Sequence, residues 1–110
     1  MSLSGKQRRF LRAQAHALDP LVSLGKDGLT DNVLGAVSEA LLAHELIKVR
    51  VLENAPLSRQ EAAETLPQAL KAELVGLVGR MLILYKRHPH KPKLVLPREA
   101  PPGNKAESSD

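Results

Sequence analysis

The chain lacks cysteine and is poor in aromatic residues: its 110 residues include no Trp, one Phe (Phe10) and one Tyr (Tyr85). The absence of cysteine excludes disulfide bonds and cysteine-ligated zinc, and it suits a reducing cytoplasm. No apolar run reaches the roughly 18 residues that a membrane-spanning helix needs. Nor does an apolar segment follow the basic residues near the start, as it would in a signal peptide. We therefore expect one cytoplasmic domain without membrane contact.

Reactive groups in catalytic spacing are also missing. The sequence contains no G-x-S-x-G elbow, no H-E-x-x-H pair and no phosphate-binding P-loop. His88 and His90 lack a third ligand nearby, so a metal site is not expected. Glu61 and Glu64 lie one helical turn apart, which favours support of a helix start over acid–base chemistry. We expect no catalysis, no cofactor and no small-molecule substrate.

The chain does carry an excess of positive charge, a formal net +4 at pH 7. Two stretches contain cations but no acid, namely residues 1–18 with Lys6, Arg8, Arg9 and Arg12, and residues 80–93 with Arg80, Lys86, Arg87, Lys91 and Lys93. On charge alone, clustered cations favour a polyanionic partner such as nucleic acid, or an anionic membrane. Cations kept only for solubility are the alternative.

Capping residues and apolar spacing predict three helices. They run from Ser4 to about Leu18, from Thr30 to near His44, and from the capping box at 58–61 to about Lys71. Pro67 lies inside the third pattern and predicts a kink or an early break there.

Short apolar runs predict four strands, at residues 21–24, 46–52, 73–78 and 81–86. In the second strand, Lys48 and Arg50 alternate with apolar residues and form a basic face. Gly79 and Arg80 predict a type II′ hairpin turn, which requires Gly first. The last two strands are apolar on both faces, and we expect both sides to be covered, most simply by helices, with a partner chain as the alternative.

The order of these elements predicts an α/β fold: a compact α-β-α-β-α-β-β domain with a four-stranded mixed sheet. Strands that are joined through a helix should be parallel, and the final pair, joined by a hairpin, should be antiparallel.

The stretch LGKDGLT at residues 24–30 joins a predicted strand to a helix N-terminus. Gly25 and Gly28 leave room for a phosphate backbone near unpaired N–H groups, and Lys26 adds a cation. Asp27 would repel phosphate, or it shapes the turn before Gly28. A ligand loop and a purely structural turn both fit these residues. The similar spacing at 76–79 falls in a strand and a hairpin, and we assign it no ligand.

On a helical wheel, Arg8, Arg9, Arg12 and His16 share one face of the first helix. Five further cations are candidate flanking contacts, with ordinary solvated surface as the alternative: Lys48, Arg50, Arg80, Lys86 and Arg87. Because Phe10 and Tyr85 are the only aromatic residues, base stacking on a sheet is not expected. Contacts with RNA should be mainly to phosphate and ribose.

Four blocks together resemble a known family: GKQRRFLRAQAH at 5–16, LGKDGLTDNV at 24–33, HELIKVRV at 44–51 and VGRMLILYKR at 78–87. Residues 3–96 are similar to the bacterial YhbY family, the stand-alone form of the CRM domain (chloroplast RNA splicing and ribosome maturation). The resemblance implies a fold similar to the C-terminal domain of translation initiation factor three. It also implies RNA binding without catalysis, with bacterial members associated with precursors of the large ribosomal subunit.

The family's Gly-x-x-Gly loop maps onto Gly25, Lys26, Asp27 and Gly28, and its basic first helix onto Lys6, Arg8, Arg9 and Arg12. We expect a CRM-type RNA-binding domain over residues 1–96 and a Pro-rich, disordered tail over 97–110. The leading hypothesis is a non-catalytic protein that binds large-subunit precursor ribosomal RNA through this loop and helix. The alternative is a protein-interaction module that docks an acidic partner.

Overall fold

The computed structural model describes residues 3–97. Its elements are α1 (Gly5–Ala15), β1 (Val22–Leu24), α2 (Asp31–His44), β2 (Leu46–Val51), α3 (Arg59–Leu70), β3 (Glu73–Val78) and β4 (Met81–Tyr85). The predicted order of helices and strands is confirmed. The tail expected to be disordered lies outside the described residues, except for Pro97.

The four strands form one sheet in the order β1-β2-β4-β3. Strands β1 and β2 are parallel, whereas β4 is antiparallel to both of its neighbours. Strand β3 therefore runs parallel to β2, as expected, but β4 lies between them. Gly79, with a φ of 59°, and Arg80 join β3 to β4. Since Arg80 has no positive φ, the predicted type II′ turn fits this backbone.

Side chains cap the helices where the sequence predicts it. Ser4 and Gln7 form a capping box on α1, Ser58 and Glu61 form one on α3, and Thr30 caps α2. The predicted helix ends are less accurate.

Helix α1 ends at Ala15, three residues before the expected end at Leu18, in a turn closed by a hydrogen bond from Leu18 N to Ala15 O (2.9 Å). Of the kink or early break expected at Pro67, the break does not occur, since α3 continues through this residue to Leu70.

The core has two parts, one on each face of the sheet. Helices α2 and α3 cover the larger part, which contains Leu41, Val49, Leu66 and Leu82 among its buried residues. Helix α1 covers the smaller part, whose buried residues are Leu3, Leu11, Ala15, Leu46, Val75, Ile83 and Tyr85.

Helices cover both faces of the sheet, as expected, but α1 leaves part of its face open. Beyond the helix, one row of paired residues crosses all four strands: Ser23, Arg50, Met81 and Val78. Ser23, Arg50 and Val78 are exposed, and Val78 retains 59% of its accessible surface. We call this row, with Lys48 beside it, the open half-sheet. A single helix, about 10 Å across, is too narrow to cover strands of five or six residues along their whole length.

Glu45 is a buried acid between α2 and β2, with a relative exposure of 0%. Its carboxylate accepts three backbone N–H bonds of 2.7 Å, from His88, Lys93 and Leu94. These bonds hold the segment after β4, and Leu94 and Leu96 pack against the smaller core.

The backbone of Glu45 adopts a φ of 65°, which is unusual for a residue other than glycine. Burial alone would raise the pKa of the carboxyl, but the backbone donors and the neighbouring His88 together hold that pKa below its ordinary value.

Replacing Glu45 with Gln should lower the free energy of unfolding at pH 7 by about 2–3 kcal/mol, since the amide NH₂ would face backbone donors in a buried site. Folding lowers the Glu45 pKa, so the carboxylate contributes fully above the unfolded value of about 4.3. Its contribution is lost as the pH falls through the folded value. The difference between wild type and Glu45→Gln should therefore narrow in acid, as measured by urea unfolding between pH 7 and pH 3.

The matched control is Glu39→Gln, which removes the same charge from an exposed position of α2. Its stability should stay within about 0.5 kcal/mol of wild type. Equal losses in the two variants would show that net charge, rather than the buried carboxylate, sets the effect.

Candidate nucleic-acid interface

Three loops meet at the edge of the sheet where the parallel strands β1 and β2 end, which we call the carboxyl edge. Leu52 N donates to Leu24 O (2.9 Å) and Val51 N donates to Arg80 O (2.8 Å), so the Gly25 loop, the chain after β2 and the β3–β4 hairpin are neighbours. Helices α2 and α3 both begin here, because each follows a strand that ends at this edge. Unpaired helix N–H groups and positive dipole ends therefore point toward it.

The loop from Gly25 to Gly28 is a tight turn. Gly28 N donates to Gly25 O at 3.0 Å, and the side chains of Lys26 and Asp27 at its tip are exposed. Thr30 follows as the N-cap of α2, its hydroxyl accepting from Val33 N at 3.1 Å. The loop thus presents a cation and a carboxylate side by side above a helix N-terminus.

The structure requires glycine at one of the two glycine positions of this loop but not at the other. Gly28 has a φ of 70°, and a Cβ there would lie 2.9 Å from Pro56 Cγ, so this position requires glycine. Gly25 has no positive φ, and a Cβ there would lie 3.8 Å from Leu52 Cδ1, an ordinary contact. The fold therefore explains Gly28 but not Gly25.

The cationic face predicted for α1 is divided by its packing. Arg8 is half-buried, with Nη1 donating to Leu3 O at 2.7 Å and Nε to Leu74 O at 3.5 Å. Arg12 extends over β3, and its Nη1 donates to Val75 O at 3.4 Å. Lys6 and Arg9 are exposed. Lys6 and Arg9 are thus the cations of α1 most open to a ligand.

The flanking candidates do not form one patch. Lys48 and Arg50 lie on the open half-sheet, and Arg80 lies at the carboxyl edge, where its Nη1 approaches Val51 O at 3.5 Å. Lys86 and Arg87 follow the end of β4 at the opposite edge. Lys86 Nζ caps the last turn of α3 by donating to Leu70 O at 2.9 Å.

Sequence reasoning missed Arg59. Its Nη1 donates to Gly79 O at 2.9 Å, which ties the start of α3 to the β3–β4 hairpin. With Ser58, Gln60 and Arg80 it lines a shallow cleft of about 410 Å³. The signal was weak, because Arg59 stands among the acids of residues 53–73.

Neither aromatic side chain faces the candidate interface. Tyr85 is 2% exposed in the smaller core, and Phe10 packs against that core from α1. Burial raises the pKa of the Tyr85 hydroxyl and the charge of Glu45 raises it further, whereas Arg87 lowers it. An aromatic stacking platform is therefore not available among these residues.

Comparison with known proteins places these features in a family. A sequence profile of the CRS1 / YhbY (CRM) domain matches residues 3–86. The protein named "Probable RNA-binding protein YqeI" from Bacillus subtilis is 42% identical over 95 residues, which are 86% of this chain and 99% of that protein. An "RNA-binding protein" from Haemophilus influenzae is 41% identical over 98 residues, or 89% of this chain and 98% of that protein.

A solved structure has the same fold. The solution structure of the hypothetical protein SAV1595 from Staphylococcus aureus is similar with a TM-score of 0.74 and 40% sequence identity, over 87% of this chain and all of that chain. Among residues 3–97, no helix is both long and apolar enough to cross a membrane. The resemblance noted in the sequence is confirmed, and the chain belongs to the CRS1 / YhbY (CRM) domain family.

Proposed function

We propose that this protein is a non-catalytic, cytoplasmic RNA-binding protein that grips structured RNA by its backbone at the carboxyl edge and along α1. The observation that carries the proposal is Gly25, a position at which the fold itself does not require glycine. Without a Cβ, a phosphate can approach the N-terminus of α2 closely. Lys26 is exposed beside it. The names of the relatives from Bacillus subtilis and Haemophilus influenzae support RNA as the ligand class.

The RNA we propose is the precursor of large-subunit ribosomal RNA, which is what the family resemblance implies. The protein has a modest cationic excess and no aromatic platform among its described residues. Such a surface suits a ligand recognised by shape and phosphate position rather than by base sequence. Folded ribosomal RNA is a ligand of this kind.

Alanine substitutions of Gly25 and Gly28, made one at a time, distinguish an effect on RNA affinity from an effect on stability. Gly25→Ala should leave thermal stability unchanged and lower the affinity for RNA, because its Cβ meets only Leu52 in the protein. Gly28→Ala should lower the free energy of unfolding by about 1–3 kcal/mol, since its backbone has a positive φ. Thermal unfolding and filter binding to a ribosomal RNA fragment measure the two effects. Wild-type affinity in Gly25→Ala would refute the loop as a contact.

Reversing the charge of Arg9 should weaken binding through loss of a phosphate contact. The slope of log K against log salt should become shallower by roughly 0.7–0.9 in Arg9→Glu. Lys91→Glu makes the same charge change at an exposed residue of the segment after β4, and it should retain more of the wild-type slope. Titrations of labelled RNA between 50 and 300 mM salt compare the two. Identical slopes would mean that only net charge matters.

Crosslinking in cells, followed by sequencing of the bound RNA, tests the target. We expect enrichment of large-subunit precursor over mature ribosomal RNA and messenger RNA. A scatter of unrelated transcripts would refute the ribosomal assignment while leaving RNA binding intact. Recovery of a stoichiometric acidic protein that resists ribonuclease would instead support a protein-interaction module.

A further inference from the structure

We propose that the open half-sheet is a second part of the RNA site, which holds about two or three single-stranded nucleotides beside the Gly25 loop. This inference rests on the proposed function and extends it, since the loop and α1 explain backbone contacts only. The strand face would contact ribose and base.

The open half-sheet has the width that such a contact needs. Its row runs through Cα partners, from Ser23 to Arg50, from Arg50 to Met81 and from Met81 to Val78. Four strands at about 4.8 Å spacing give a width of about 14 Å. In RRM proteins a sheet of four strands holds two or three bases, stacked on aromatic side chains that this row lacks.

The side chains of this row combine apolar surface with positive charge. Val78 is 59% exposed at the edge strand, and Met81 is half-buried beside it. Met is flexible and polarisable, so it adapts to flat ligands of varied shape. Arg50 is exposed, and a guanidinium plane can stack on a base where aromatic rings are absent. The row can therefore contact nucleotides without Phe10 or Tyr85.

Charge decides which partner fits this face. The charged side chains of the open half-sheet are both cations, Lys48 and Arg50. Arg12 borders the open half-sheet, because Gly76 has no side chain and the aliphatic part of Arg12 packs over it. A Cβ on Gly76 would lie only 3.1 Å from Arg12 Cδ. Apolar surface beside cations is complementary to a nucleic-acid strand, whose flat bases and ribose contact Val78 and Met81 while its phosphates reach the neighbouring cations.

The open half-sheet is also continuous with the loop. Ser23 ends the row on β1, and after Leu24 the chain enters the turn at Gly25. Arg50 precedes Val51, which donates to Arg80 O at the hairpin. One strand of RNA can therefore pass from the loop to the sheet face without crossing α1.

The experiment compares the two apolar residues of the open half-sheet with an exposed apolar residue on the opposite side of the protein. Val78→Ser and Met81→Ser should each weaken binding of a fluorescent single-stranded oligouridylate by about threefold to tenfold, by loss of apolar contact. The salt slope should be unchanged, since neither residue contacts phosphate. Lys48→Gln should make the slope shallower by roughly 0.7. Leu42→Ser, on α2 with a similar exposure of 56%, is the matched control and should bind as wild type.

The possible outcomes are distinct. If wild-type protein binds RNA, Gly25→Ala weakens binding and Val78→Ser does not, the second site is refuted and the proposed function stands. If wild-type protein binds no RNA, the proposed function itself fails. Equal loss in Val78→Ser and Leu42→Ser also refutes the second site. Sedimentation tests whether a second copy of the chain occupies this face. A wild-type dimer that Val78→Ser dissociates would assign the face to that copy and refute the RNA contact.

Discussion

The buried carboxylate of Glu45 stabilises this fold where α2, β2 and the segment after β4 meet. Glu45 ends α2, turns the chain into β2 and accepts the backbone N–H groups of three residues that follow β4. An unpaired charge in that place would be costly, so the segment to Leu96 must stay in position. That segment closes the smaller core against α1. Because the segment occupies this end of the α1 side, the surface left for the proposed site is the carboxyl edge, the open half-sheet and the exposed cations of α1.

Positive charge in this protein has two uses that net charge does not distinguish. Arg8, Arg12 and Lys86 each donate to backbone carbonyls at the margins of the sheet. Lys26 and Arg9 remain exposed. A cation that is bonded to the protein contributes to the local potential, yet it must give up a hydrogen bond to contact a ligand directly. Lys26 and Arg9 are therefore better candidates for phosphate contacts than the cations bonded to the backbone.

Rules based on neighbouring residues predicted most of the helices and strands. They failed for contacts between residues that lie far apart in the sequence. The cap at Ser4, the capping box at Ser58 and the glycine turn at Gly79 depend on neighbours within three residues. The partners of Glu45 lie 43 to 49 residues away, so no spacing rule could find them. The insertion of β4 between β2 and β3, and the half-covered face that results, also arise from tertiary packing. For the candidate site, the sequence found the glycine loop but not the role of Arg59.

Both outer strands of the sheet are poor templates for further pairing, and this bears on solubility at high concentration. Strand β1 has only three residues. Strand β3 carries an irregularity between Leu74 and Gly76, and the guanidinium groups of Arg8 and Arg12 occupy the carbonyls of Leu74 and Val75. Such an edge resists the addition of a strand from another molecule. The arginines of α1 thus make this edge a poorer template for amyloid-like pairing, an effect that needs no ligand.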